Sequence, residues 1–275
     1  MLPFGGTNKP EDTPALYPFI MRGKNLEIYI VKLKLNFEKQ QEILLNVLKE
    51  LVAKGIDVLH VVRGPIEARG KAVTYFLVIN MTKAAISIES LVFELKKING
   101  VKDVSVGSER LGDKVVYPNA FPIYTYDRAV ILSADFLRAF FSAFYSYFKQ
   151  PLLAASILYQ IGIRVGYALA KEIYENTGRK DSILVQDALD LLKSMGIASF
   201  EYKVSKLKHG EISIKAEKSI EAEVVNIKGI RCHFLRGILS GILSFVEGEY
   251  VQVQETKCVG KGDSYCLFVA SKESK

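Results

Sequence analysis

The sequence predicts an α+β protein of two domains, and three observations carry that expectation. A chain of 275 residues is about two domains long. Between residues 26 and 106, strand-like and helix-like patterns follow one another in the order βαββαβ. The second half opens on two apolar helices and closes on short strands that carry all three cysteines. Composition agrees: 49% apolar and 24% charged residues exclude a disordered or fibrous chain. Trp is absent, and 15 Phe and 14 Tyr supply the bulk for two cores.

Residues 1–24 hold four of the eight prolines and read as an extended arm. Leu26–Leu35 alternates as a strand does. Asn36 suits the cap of a helix running to Lys54, with Ile43, Leu44, Val47, Leu48 and Leu51 at helical spacing and Gly55 as its stop. Strands at Ile56–Arg63 and Val73–Met81 flank a turn at Gly64-Pro65. A helix at Ile88–Ile98 and a strand at Val101–Val106 complete a ferredoxin-like unit. Over residues 25–110 this unit resembles the ACT family of small regulatory domains. Those domains often dock a ligand on an Asp-x-Pro-Gly-type turn after the first strand. Here the segment is Lys34-Leu35-Asn36-Phe37, so the resemblance extends to topology and not to that ligand site. Gly112, Pro118 and Pro122 mark residues 111–128 as a linker, leaving 129–275 for the second domain.

The second domain begins with helices at Ser133–Lys149 and from Pro151 onward, the latter carrying Gly162, Gly166 and Ala170 on one close-packing face. A short helix at Asp187–Met195, a hairpin of Phe200–Leu207 and Glu211–Ala216 turning at His209-Gly210, and a strand at Glu221–Ile227 follow. The longest uncharged stretches, 139–148 and 150–163, are shorter than the ~20 residues of a membrane span and read as buried helices. The first residues lack a basic segment followed by an apolar core, so a cytoplasmic protein is expected. The net charge of +7 is spread evenly: residues 1–127 hold 17 Lys+Arg against 14 Asp+Glu, and 128–275 hold 20 against 16. Without a basic tail or patch, nucleic-acid binding is the weaker class.

Cys232, Cys258 and Cys266 all fall in the last 44 residues, which favours metal ligands over a disulfide framework. Cys232 opens a helix that contains Gly237 and Gly241 and stops at Gly248. In the strand after it, Val251, Val253 and Glu255 share a face, so Glu255 points toward the core. A buried carboxylate needs a partner. Cys232, Glu255, Cys258 and Cys266 can close around one Zn²⁺, with Cys232 favoured as thiolate by the helix N-terminus. Arg231, Arg236, Lys257 and Lys261 stand near in sequence to offset the excess negative charge. The alternative is that Cys232 and Cys266 are small core residues and that Glu255 pairs with a Lys or Arg.

The segments Cys232-His233-Phe234-Leu235-Arg236-Gly237, Glu255-Thr256-Lys257-Cys258 and Gly262-Asp263-Ser264-Tyr265-Cys266 resemble the 4-vinyl reductase domain, over residues 130–270. That domain is also the sensor of phenol- and xylene-responsive activators, and its fold is similar to that of TRAPP trafficking subunits. The resemblance implies that the four residues hold a structural zinc. It further implies a homodimer and an apolar pocket for a small apolar or aromatic ligand. Phe141, Phe144, Tyr145, Phe148, Tyr159 and Tyr167 are the candidate lining. The chain lacks the Trp that helps anchor phenol in those sensors. It also lacks a phosphate-binding Gly-x-x-x-x-Gly-Lys-Ser/Thr loop and a dinucleotide fingerprint. A non-enzymatic ligand sensor is therefore expected, with a TRAPP-like scaffold protein or a DNA-binding regulator as alternatives.

Overall fold

The structure, a computed structural model, describes residues 20–22, 25–66, 71–112, 114–118, 123–124, 128–204, 212–225, 229 and 231–270. The expected arm up to residue 19 and the turn at His209-Gly210 lie outside the described residues. The chain divides into two compact units, Met1–Val130 and Ile131–Lys275.

The first unit runs β1 (Ile20–Arg22), β2 (Ile28–Asn36), α1 (Gln40–Ala53), β3 (Asp57–Ile66), β4 (Ala72–Asn80), α2 (Ile88–Lys96) and β5 (Val101–Val106). The short strands β6 (Glu109–Leu111), β7 (Lys114–Val116), β8 (Ile123–Tyr124) and β9 (Arg128–Ala129) follow. Strands β3-β4-β2-β5 form one antiparallel sheet. One face buries Val31, Leu33, Leu35, Leu77 and Ile79 against Val47, Leu51, Leu91 and Leu95 of the two helices. Asn36 ends β2 and does not cap α1: its Oδ1 accepts the Glu38 amide at 3.2 Å, and Lys39 takes the cap position. The expected turn at Gly64-Pro65 lies inside β3, where the register with β4 shifts between Arg63 and Ile66. Part of the segment expected as a linker is structured. β7 pairs with β1 and β6, and Val115 and Tyr117 cover Ile28, Ile30 and Val78 on the sheet's second face.

The second unit runs α3 (Ala134–Tyr147), α4 (Pro151–Thr177), α5 (Asp181–Ser194), β10 (Ser199–Val204), β11 (Ile212–Glu217), α6 (Ile220–Val224), α7 (His233–Glu247), β12 (Val253–Lys257) and β13 (Cys266–Ala270). Its antiparallel sheet has the order β10-β11-β13-β12. Ser133 caps α3 by accepting the Phe136 amide at 3.2 Å. α5 begins at Asp181, ahead of the expected Asp187, because Leu184 and Val185 extend its apolar face into the core. The expected strand at Glu221–Ile227 is the short helix α6, which turns the Glu221 carboxylate inward.

α4 and α7 meet backbone to backbone. A Cβ on Gly162 or Gly166 would overlap the carbonyl oxygens of Phe234 or Ile238, and one on Gly237 or Gly241 would overlap those of Tyr159 or Ile163. The small residues expected to pack closely are thus used within the chain. α4 is long and apolar enough to cross a membrane by length and composition. The expectation that the two leading helices are buried is corrected in part. Only Phe141 is buried on α3, and 28% of the most apolar stretch of α4 is buried, because α7 covers a single face of that helix.

On helix propensity alone, Gly166→Ala would stabilise by about 1 kcal/mol. Overlap with a main chain that cannot move aside outweighs that gain. We expect Gly166→Ala to destabilise the second unit by about 3 kcal/mol, read by urea unfolding.

Candidate metal centre

Four side chains converge between α7 and the sheet. Cys232 is the cap residue of α7, Glu255 lies on β12 beside a register shift, Cys258 leads the short 3-10 turn Val259–Lys261, and Cys266 opens β13. All four are buried, and their ligand atoms lie within 4.8 Å of one another. The Cys232 and Cys266 sulfurs are 3.6 Å apart, and those of Cys266 and Cys258 are 4.0 Å apart. Those distances are too long for a disulfide. They bracket the ~3.8 Å edge of a tetrahedron built on Zn–S bonds of ~2.3 Å.

The chain shapes the loop around the donors locally. The Asp263 Oδ2 accepts the Cys258 amide at 2.8 Å, and the Cys258 sulfur accepts the Gly260 amide at 3.3 Å. Gly260 has no room for a Cβ against the Gly229 carbonyl and the Arg231 side chain. The Gly229 amide in turn donates to the Gly260 carbonyl at 3.2 Å.

Glu255 is 4% exposed, and its Oε2 accepts the Cys232 amide at 3.4 Å. Its Oε1 has no partner, and among the described residues no Lys or Arg pairs with it. The expected basic neighbours are engaged elsewhere. Arg231 donates to the Ala222 carbonyl at 3.2 Å, Arg236 lies over the Tyr159 ring, and Lys257 donates to the Tyr265 hydroxyl at 3.0 Å. An ion-paired Glu255 is therefore excluded among these residues. An orphaned buried carboxylate oxygen beside three converging sulfurs fits a divalent cation.

Without a cation the set holds its protons. Burial first, and then the hydrogen bond with Cys258, push the Glu255 carboxyl up to about 8. Hydrogen bonds with Cys258 and Cys266, and then burial, push the Cys232 thiol far up, while its neighbours' hydrogen bonds hold Cys258 far down. The thiolate expected at Cys232 thus rests on Cys258. Metal binding would displace the remaining protons, so affinity falls at low pH.

Glu221 was not singled out in the sequence, because its pattern read as a strand. It is 2% exposed, and it accepts the Phe234 and Leu235 amides at 3.0 and 2.9 Å. These are first-turn donors that α7 cannot satisfy itself, so Glu221 caps α7 from another element. The Ser219 hydroxyl lies 3.5 Å from the Cys232 sulfur.

The candidate pocket residues separate into three places. Phe141, Phe144 and Tyr145 gather around Leu158, Val224 and Val225. Phe148, the C-cap of α3, packs its ring 5.1 Å from that of Phe144. Tyr159 lies in the α4–α7 seam, its hydroxyl 3.2 Å from both the Ser240 Oγ and the Tyr250 hydroxyl. Tyr167 is half exposed and meets the Phe245 ring edge-on at 5.2 Å. In the first unit, a cleft of about 570 Å³ is lined by residues 37–42 at the start of α1.

Helices packed on an antiparallel sheet, tied at one helix start by a buried Cys₃Glu set, define a domain built to hold a closed metal site. Residues 212–272 match the vinyl-4-reductase domain, and the second unit carries that domain. An uncharacterised protein of Methanocaldococcus jannaschii is 32% identical over 121 residues, which cover 44% of this chain and 66% of that protein, a little less than two thirds of its length. Among solved structures, the phenol-responsive sensory domain of the transcription activator PoxR with phenol is similar at 15% identity. Its TM-score is 0.48, over 58% of this chain and 83% of that one. A vinyl-4-reductase family protein of M. jannaschii is similar at 20% identity, with a TM-score of 0.39 over 53% of this chain and 85% of that one.

The Glu221 carboxyl is pushed up to about 8 by burial, against the pull of the α7 amides. The folded chain therefore keeps a proton that the unfolded chain, at 4.5, has released. This contribution is fully present below pH 4.5 and is lost as pH rises to about 8. Melting temperature should show that fall, and Glu221→Gln, which keeps an accepting oxygen, should flatten it.

Proposed function

We propose that this chain is a non-catalytic, cytoplasmic, small-molecule-sensing regulatory protein that holds one structural Zn²⁺ and acts as a homodimer. In this reading the first unit is a ferredoxin-like, ACT-like regulatory module. The observation that carries the proposal is the closure of four protein donors on one buried point. A zinc with Cys232, Glu255, Cys258 and Cys266 as ligands has no open position for water or substrate, so it ties α7 to the sheet and does no chemistry. Three reduced thiols at non-bonding distances suit a reducing compartment.

Ligand sensing rests on the sequence resemblance and on the aromatic cluster of α3, which is only partly covered by its own domain. The dimer rests on exposed apolar residues: Phe136 and Phe140 on α3, and the stripe Leu153, Ile161 and Val165 on α4. Contiguous apolar surface of this kind marks an interaction face.

Elemental analysis of purified protein should give one zinc per chain. Cys258→Ser and Cys266→Ser should each lose the metal and melt earlier. Glu255→Gln should lose less, because three thiolates remain. Protein without stoichiometric metal after growth with zinc, and with thiols that react freely while folded, would overturn the metal reading. Native mass spectrometry should give twice the 30.7 kDa chain mass, and a monomer at micromolar concentration would remove the dimer from the proposal.

A further inference from the structure

Two polar groups beside the α3 aromatic cluster lack the same thing. The Tyr145 hydroxyl is sealed from solvent and bonds to nothing, while its ring packs among Phe141, Phe144, Leu158 and Phe234. The Arg236 Nε is also enclosed without an acceptor. Among the described residues no carboxylate pairs with this guanidinium, which lies 4.5 Å over the Tyr159 ring. A ring face is a weak substitute for a counter-ion.

The two groups belong to one neighbourhood. Arg236 is two residues from Phe234 on α7, and Phe234 packs in the same cluster as Tyr145. The Arg236 charge acts on the Tyr145 phenol, opposing the rise that burial causes. One side chain offers an unused O–H and the other an unused N–H with a positive charge. Both call for an acceptor, and an enclosed cation calls for an anionic one. The planar guanidinium matches a carboxylate. The surrounding aromatic and aliphatic side chains match an apolar body.

We propose that Arg236 and Tyr145 together receive the carboxylate of an amphipathic organic acid, whose apolar part lies against Phe141, Phe144 and Phe234. This assignment rests on the ligand-sensing reading above and narrows it to a charged class of ligand.

The test uses full-length, zinc-loaded protein in calorimetric titrations with benzoate and octanoate, and with benzyl alcohol and octan-1-ol as uncharged counterparts. The acids should bind about tenfold tighter than the alcohols. Arg236→Gln should abolish that preference, and Arg236→Lys should keep part of it. Tyr145→Phe should weaken acid binding several-fold and leave the melting temperature of the protein without added acid unchanged or higher, since no hydrogen bond is lost. A merely structural Tyr145 hydroxyl would lower that temperature.

Zinc content reports whether each variant is folded. If Arg236→Gln does not keep its zinc, Arg236→Lys and Tyr145→Phe decide. Equal binding of acids and alcohols, or unchanged acid binding by a zinc-retaining Arg236→Gln, overturns the assignment and leaves the sensing reading standing. Wild-type protein that binds neither class overturns both.

Discussion

The second unit depends on one contact, the approach of α4 to α7 through glycine on both sides. Each helix places bare backbone where the other presents carbonyl oxygens, so neither can rotate or slide without meeting a Cβ or losing the fit. Gly178 and Gly248, both in the left-handed conformation, end the two helices. With α7 fixed, its first turn can only start where Cys232 faces the sheet. Cys258 and Cys266 then come from β-structure that packs on the same side.

Two buried carboxylates meet that helix start, and they differ in what satisfies them. Glu221 spends both oxygens on the amides of Phe234 and Leu235, and its partners are fixed by the fold. Glu255 has one oxygen near the Cys232 amide and the other bare. Burial raises the pKa of both, so the distinction lies in geometry and not in acidity. A carboxylate with a complete set of donors is a cap, and one with a bare oxygen among thiols is a ligand.

Much of the candidate centre was legible in the sequence, for a local reason. Strand alternation alone puts Glu255 on the face of Val251 and Val253, and all three are buried. Cys266 at a strand start and Gly248 at a helix end carry equally local signals. What escaped is non-local. The sequence of α6 alternates well enough to read as a strand, but its shape follows from the need of α7 for a cap thirteen residues on. The small residues of α4 announced a close neighbour without naming α7. Strands β1 and β7 are three residues each, too short for a pattern, and exist because they pair with one another. The exposure of Phe136 and Phe140 was equally invisible, since an apolar helix face reads the same whether its own chain covers it or not.

The small sheet of β1, β7 and β6 has a topological consequence for the first unit. Its main sheet has helices over one face, and Val115 and Tyr117 lie over the other. Growth of that sheet by another chain is thus directed to its margins, which are β3 and β5. The β3 margin is kinked at two register shifts, between Val58 and His60 and between Arg63 and Ile66, and such breaks discourage a foreign strand from zipping along it. β5 is short, with Lys102 and Asp103 exposed along it. The module is closed to open-ended polymerisation on both faces and along β3, and its remaining margin admits a partner only one strand at a time.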